Sequence, residues 1–408
     1  MPPAAPSTAD RRARAAVAAL FLTNGALFAN LVPRYPEIKA DLGLDNATYG
    51  LAVAAFPAGS IVAGLAAAVL VRRFGSARVA VAGTILTGTG VLLAGLAPSL
   101  WLLMLALLAG GAADACTDVA QNAHGLRVQR RYGRSILNSF HAVWSVGAVL
   151  GGSMAAAAIA LHVPLGVHLA VSCALFAAVA LVALRFCLPG LDGAADDGGN
   201  PRAATDGVAA VRRGRTALVL AALVLVAVAG AFVEDAGSSW AAVYLSGSLG
   251  AASAVAASGF VALVGAQFVG RMLGDRFVDR FGQRAVARVG GLLVAVGTGL
   301  ALALGTVPAT IAGFACAGFG VATLVPAAMH EADELPGLRA GTGLTVVSWL
   351  MRLGFLLSPP LVGLVADATS LRVGLLAMPL SGLVVIVTAG VLSGRRAWPR
   401  PVSSRPSA

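Results

Sequence analysis

Lysine occurs once in 408 residues, as Lys39. It does not sit in a G-x-x-x-x-G-K-[ST] loop, so the chain carries no phosphate-cradling motif of that kind and no ATPase of its own. Cysteine occurs four times, and Cys116, Cys173, Cys187 and Cys316 fall in or at the ends of apolar runs without metal-ligand spacing. They read as small buried residues, so no metal and no cofactor is expected. Charged residues make up only 12% of the chain, too few to clothe a soluble globule of this size. A nucleophile elbow, a zinc-protease helix, a potassium-filter sequence and a regular arginine ladder are all missing, which argues against an enzyme and against a channel. His330-Glu331-Ala332-Asp333-Glu334 is not H-E-x-x-H and reads as a cytoplasmic acidic loop. Strand-like alternation is absent too, which excludes a β-barrel.

What the chain does have is apolar length. Hydrophobic residues make up 58% and the mean hydropathy is +0.86. Spanning about 30 Å of hydrocarbon at 1.5 Å per residue takes roughly 20 residues. Twelve runs of that size are expected at 15–33, 49–71, 78–97, 101–123, 135–160, 163–187, 215–237, 250–273, 285–305, 307–329, 341–366 and 372–393. The first follows Arg11, Arg12 and Arg14 as a signal peptide would, but it is long enough to span and eleven more follow, so it is expected to be retained. Pro33 and Pro36 should break it, leaving a short interfacial helix.

The net charge of +11 is distributed by topology, not as a nucleic-acid patch. With the N-terminus in the cytoplasm, 25 of the 29 basic residues fall on inside segments, among them Arg72, Arg73, Arg78, Arg127, Arg130 and Arg280. Only Arg34, Lys39 and Arg372 fall outside, and Arg352 is the one basic residue placed within a span. Both termini are therefore expected inside, in an inner-membrane protein with no nucleic-acid partner.

The fourth run carries Asp114 and Asp118. Each carboxylate costs roughly 2.5–3.5 kcal/mol at the centre of a spanning helix, and at spacing i, i+4 the two share one face. That face must look into water or at partners. Asp118 lies six residues from the cytoplasmic end of span four and His141 six residues from that of span five, roughly 9 Å in. Such a pair can exchange a proton between the two sides of the membrane; a static hydrogen bond between the helices is the alternative. Arg352 needs a carboxylate or an anionic ligand, and Asp114 lies at comparable depth; a snorkelling guanidinium is the other reading. Glu234 and Asp235 sit near the outer mouth of span seven, where Gly237, Ser238 and Ser239 suit a broken helix. Asn24, Asn122, Asn138 and Gln267 either line a cavity or bridge helices. Trp144, Trp240 and Trp349 can stack a solute or simply pack, with Trp240 favoured as the functional one. The sequon at Asn46 has meaning only in a secretory pathway.

An internal repeat runs through the chain. At an offset of 207 residues, Val71, Arg73-Phe74-Gly75 and Val79-Ala80 coincide with Val278, Arg280-Phe281-Gly282 and Val286-Ala287; Gly83 matches Gly290 and Gly147 matches Gly354. Two pseudo-symmetric six-helix halves are expected, 15–187 and 215–393, with a flexible cytoplasmic linker at 188–214 and tails at 1–14 and 394–408.

The segment Asp275-Arg276-Phe277-Val278-Asp279-Arg280-Phe281-Gly282-Gln283-Arg284 resembles the G-x-L-A-D-R-x-G-R-R loop of the major facilitator superfamily through Asp279, Arg280, Gly282 and Arg284. Asp275 replaces the leading glycine, with Gly274 beside it. In the first half Arg72 stands where the family has Asp, next to Arg73 and Gly75. Residues 118–125, 140–147, 34–38 and 358–363 are similar to the fucose-permease-like branch of bacterial inner-membrane proteins. The resemblance implies an all-α, twelve-helix rocker-switch transporter whose central cavity is lined chiefly by spans one, four, seven and ten. The resulting expectation is a monomeric secondary carrier of a small polar, possibly sugar-like solute, proton-coupled through Asp118 and His141. An efflux antiporter and a non-transporting sensor or scaffold are the alternatives.

Overall fold

The computed structural model describes residues 7–132, 136–191, 210–338 and 341–394. The expected linker and C-terminal tail lie largely outside these residues. Twelve helices long and apolar enough to cross a membrane follow one another. They are α1 (Thr8–Asp41), α2 (Asn46–Phe74), α3 (Ser76–Gly95), α4 (Leu100–Tyr132), α5 (Leu137–Ala160) and α6 (Leu165–Leu184). The second six are α7 (Ala210–Val243), α8 (Ser253–Phe281), α9 (Gln283–Leu304), α10 (Val307–Asp333), α11 (Thr342–Ala368) and α12 (Leu371–Val391). Large apolar side chains such as Leu105, Val171 and Leu300 point outward on all sides, the surface expected of a protein whose solvent is lipid.

Proline accounts for three of the breaks in these helices. A proline ring removes one hydrogen bond and crowds the carbonyl four residues earlier. Pro36 places that disturbance at Val32, where α1 changes to a 3-10 turn over Val32–Arg34 before resuming at Tyr35. Pro326 places it at Ala322, where α10 divides into Val307–Val321 and Leu324–Asp333. Pro379 places it at Leu375, between Leu371–Gly374 and Ala377–Thr388 of α12. A further break at Met351 splits α11 into Thr342–Leu350 and Arg352–Ala368. The break expected at Gly237-Ser238-Ser239 does not occur. There α7 is continuous to Val243 and ends in a π-helical turn over Tyr244–Ser248. Gly237 instead gives room to the Leu263 and Met378 side chains of neighbouring helices, and glycine alone interrupts a packed helix less than proline does. Residues 330–333 likewise end the second segment of α10 and form no loop. Leu324, Ala327, Ala328 and Ala332 bury one face at helical spacing, leaving His330 and Glu334 on the other, 3.8 Å apart.

The repeat is visible in the packing. Gly147 of α5 lies where an added Cβ would strike the Leu22 carbonyl of α1, and Gly354 of α11 lies the same way against the Val228 carbonyl of α7. Gly83 and Gly290 pair α3 with α4 and α9 with α10 in the same fashion. Small residues let helices approach closely where lipid supplies no hydrophobic drive between them. Gly75 and Gly282, at φ 86° and 83°, turn the chain between α2 and α3 and between α8 and α9, a conformation that β-carbon-bearing residues rarely adopt. Beside them Arg73 lies over Phe74 and Arg280 over Phe281, with guanidinium-to-ring distances of 5.4 and 5.5 Å. Among the described residues no ion pair joins Asp275, Asp279 or Arg280 to a partner. Arg284 reaches back to the Leu392 carbonyl at 3.0 Å and Gly274 packs on Thr323.

The halves meet chiefly along two seams, α2 with α11 and α5 with α8. The described contacts at these seams that close off the interior lie on the face opposite the arginine-rich turns at Gly75 and Gly282. On that opposite face Arg34, buried to 4%, bonds Glu37 and the Val163 carbonyl at 2.7 Å each, and Lys39 bonds the Leu44 carbonyl at 2.8 Å.

Candidate functional site

A cavity of about 320 Å³ lies between the halves, within the range of small-molecule sites. The N-terminal half supplies Asn24 and Phe28 (α1), Phe56 and Ser60 (α2), Asp114 (α4) and Trp144 (α5). The C-terminal half supplies Glu234, Asp235 and Ser238 (α7), Phe260, Gln267 and Arg271 (α8), and Arg352 and Phe355 (α11). The lining therefore comes from spans one, two, four, five, seven, eight and eleven. Span ten, expected among the lining helices, contributes none of the described lining residues: Gly318 presses α10 against the Leu263 backbone of α8, which places it behind that helix.

Asn24 is the hub of the N-terminal wall. Its Nδ2 donates to Asp114 Oδ1 at 2.7 Å, and its Oδ1 accepts from Trp144 Nε1 at 2.8 Å and from Gln121 Nε2 at 3.4 Å. Gln121 Nε2 lies also 3.5 Å from Asp118 Oδ1, and Asn122 Nδ2 donates to the same oxygen at 3.0 Å. The two acids of α4 are thus joined through side-chain amides, and neither is turned toward lipid without partners. Phe28 and Phe56, stacked at 4.1 Å between centroids, add an apolar floor.

Asp118 sits on the arginine-rich side of this network, exposed, and it interacts electrostatically with His141 and with Arg352 of the other half. No hydrogen bond joins Asp118 and His141 among the described residues. The expected Asp114–Arg352 bridge is absent there as well. Arg352 heads the second segment of α11, and its side chain acts on Asp118, one turn from Asp114. Depth alone could not separate two acids one turn apart.

Arg271 is the residue that span counting misses. Read as a loop cation, it lies ten residues inside α8, pairs with Glu234 at 3.8 Å and stands 5.9 Å over the Trp144 ring of the other half. Phe277, Val278 and Phe281 continue the apolar pattern past it and are the signal that would have found it. Glu234 and Asp235 both line the cavity. Gln267 lines the cavity, buried, with its Nε2 unbonded.

Of the described tryptophans only Trp144 lines the cavity. Trp240 is fully buried, edge-on to Tyr49 at 4.9 Å, whose hydroxyl donates to the Ser239 carbonyl at 2.6 Å. An indole that large fills the seam between the halves more readily than it lines an aqueous space. Trp349 is 52% exposed on α11, and it does not line the cavity. Asn122 serves Asp118; the side chain of Asn138 lies outside the described residues. No group of three or more His, Cys, Asp or Glu able to hold a metal ion occurs among the described residues.

Comparison with known proteins follows the same lines. The family model for the Major Facilitator Superfamily matches residues 17–277 and 224–407. An uncharacterized transporter, y4wD of Sinorhizobium fredii, is 30% identical over 376 residues, covering 92% of this chain and 97% of the relative. Among solved structures, the nucleoside transporter NupG aligns with a TM-score of 0.70 at 12% identity, covering 94% of this chain and 99% of that one. The fucose:proton symporter FucP of E. coli aligns with a TM-score of 0.59 at 19% identity, covering 92% and 97%.

Proposed function

Because the chain belongs to the major facilitator superfamily, we propose that it is a secondary active transporter that carries a small polar, hydroxyl-rich solute across the cytoplasmic membrane by alternating access. The observation that carries this reading is the cavity between the halves, lined by three carboxylates, two guanidiniums and stacked aromatics. Its volume suits a monosaccharide or nucleoside, and fold neighbours include a nucleoside transporter and a fucose:proton symporter. Phe28, Phe56 and Trp144 offer faces for the apolar side of a sugar ring, while Asn24, Asp114, Gln267 and Arg271 offer donors and acceptors for its hydroxyls. The distribution of arginine supports a cytoplasmic location for the arginine-rich turns and both termini, so the cavity opens inward in this arrangement. The protein acts as a monomer.

Proton coupling is assigned to Asp118 and His141. They stand on the open side of the cavity, beside the Gln121–Asn24 link to Asp114, so a proton on this pair senses whether solute occupies the Asn24 hub. The test is a metabolite screen on purified protein at two pH values, followed by proton-uptake measurement with the ligand found. Binding is expected to take up one proton, and Asp118→Asn to abolish that uptake while shifting solute affinity less than tenfold. Binding without proton uptake in the parent would make the protein a uniporter. Opposing movement of solute under an imposed pH gradient separates uptake from an efflux antiporter.

A further inference from the structure

Asp367 stands in the last turn of α11, where its own helix presents its negative end and a carboxylate is unfavourable. Its oxygens have left that helix for another. Oδ1 accepts from the Asn46 backbone N–H at 3.0 Å and from Asn46 Nδ2 at 2.8 Å, and Oδ2 accepts from the Ala47 N–H at 2.6 Å. Asn46 and Ala47 open α2, in the other half of the molecule. Asp45 already caps Thr48 of this helix at 2.7 Å, so the Asp367 carboxylate satisfies the two N–H groups that Asp45 leaves. The bonds are possible because backbones touch here: Gly363 meets the Asn46 carbonyl and Gly50 the Pro359 carbonyl with no room for a β-carbon.

The second seam has no counterpart. At the repeat offset of 207, Ala160 takes the place of Asp367 and Ser253 that of Asn46. The N-terminus of α8 has no side-chain cap, and Gly152 of α5 there meets the Phe260 ring. At this end one seam carries a charged, directional bond set, whereas among the described residues the other meets through Gly152 and the Phe260 ring, its cation–ring contact of Arg271 with Trp144 lying farther along α8.

We propose that Asp367 is the latch of the outer gate: by capping α2 across the halves it holds the carrier closed on the outer side, and each transport cycle must detach it. The assignment of this face as the outer one rests on the functional reading above. Detached, the carboxylate returns to the unfavourable end of its own helix, so the latch biases the molecule toward the inward-open arrangement and the bias disappears with the charge.

The test reads conformation and needs no solute. In full-length protein with Cys116, Cys173, Cys187 and Cys316 changed to alanine, Ser239→Cys reports the seal, since Ser239 is buried beneath it. Labelling by a membrane-impermeant maleimide is timed in right-side-out and inverted vesicles. Asp367→Ala is expected to raise the rate from the outer side at least tenfold. Asp367→Asn, which keeps one acceptor but turns an amide against the Ala47 N–H, should give an intermediate rise. Asp367→Glu should return the rate toward the parent. Parental rates in Asp367→Ala and Asp367→Asn, in protein that remains monodisperse, would overturn the latch. A rise confined to inverted vesicles would overturn the outer assignment. A rise in protein that binds no solute and takes up no proton leaves the latch standing and removes only the carrier reading.

Discussion

Asn24→Leu is expected to reduce solute accumulation at least a hundredfold, the largest effect of any single change in the cavity. Leucine keeps the branched shape and heavy-atom count of asparagine, but Asp114 Oδ1 loses its 2.7 Å donor and Trp144 Nε1 its 2.8 Å acceptor together. Each buried polar group left unpaired costs about 1–3 kcal/mol, more where one is a carboxylate, so two of them amount to a substantial fraction of a solute's binding energy. The link from Asp114 through Gln121 to Asp118 is cut at the same time, so any residual solute binding should no longer move a proton. The measurement is uptake in cells beside calorimetric binding on purified protein. Asn24→Asp is the informative companion: it keeps an acceptor for Trp144 but places a second carboxylate beside Asp114. It should be rescued in part by Asp114→Asn, which restores one amide and one acid with their places exchanged. A parental transport rate in Asn24→Leu would remove the hub from the mechanism.

Gly147→Leu and Gly354→Leu are each expected to destabilise the fold by at least about 3 kcal/mol, at the upper end of overpacking costs. In both, the new β-carbon meets a main-chain carbonyl, of Leu22 or of Val228, which no rotamer change can move aside. The α1–α5 or α7–α11 pair must separate, and with it the walls that carry Asn24 and Trp144 or Glu234 and Arg352. Thermal unfolding in detergent should show both variants well below the parent, and alanine at either site should fall between. Equal effects at the two sites would reflect the repeat; a folded, parental-like Gly147→Leu would contradict the packing described.

Much of this was readable beforehand because lipid simplifies the rules. Apolar length located twelve helices, the 207-residue offset located the glycine contacts in both halves, and Pro33 and Pro36 located the break in α1. The cost of burying charge singled out Asp114, Asp118 and Arg352. Where reading failed, the cause is the third dimension. Arg271 falls within the expected run 250–273 yet was counted with the cations of an inside segment, whereas α8 carries it ten residues from its end at Phe281. Trp240 was favoured for a role its neighbours deny it, since sequence gives an indole's depth but not which way its helix is rotated. The bond between Asp367 and Asn46 joins residues 321 apart with no pattern in either segment to announce it.

The helix breaks divide unequally. In the second half α10, α11 and α12 are each interrupted, while α4, α5 and α6, their counterparts in the first, run whole. A rod whose main-chain ladder is cut flexes at the cut, so the C-terminal half, with three interrupted helices, has more joints than the N-terminal half, where α1 is the interrupted one among the described residues. In the proposed cycle the C-terminal half is therefore expected to bend more than the N-terminal half, which would act as the anvil around which it closes.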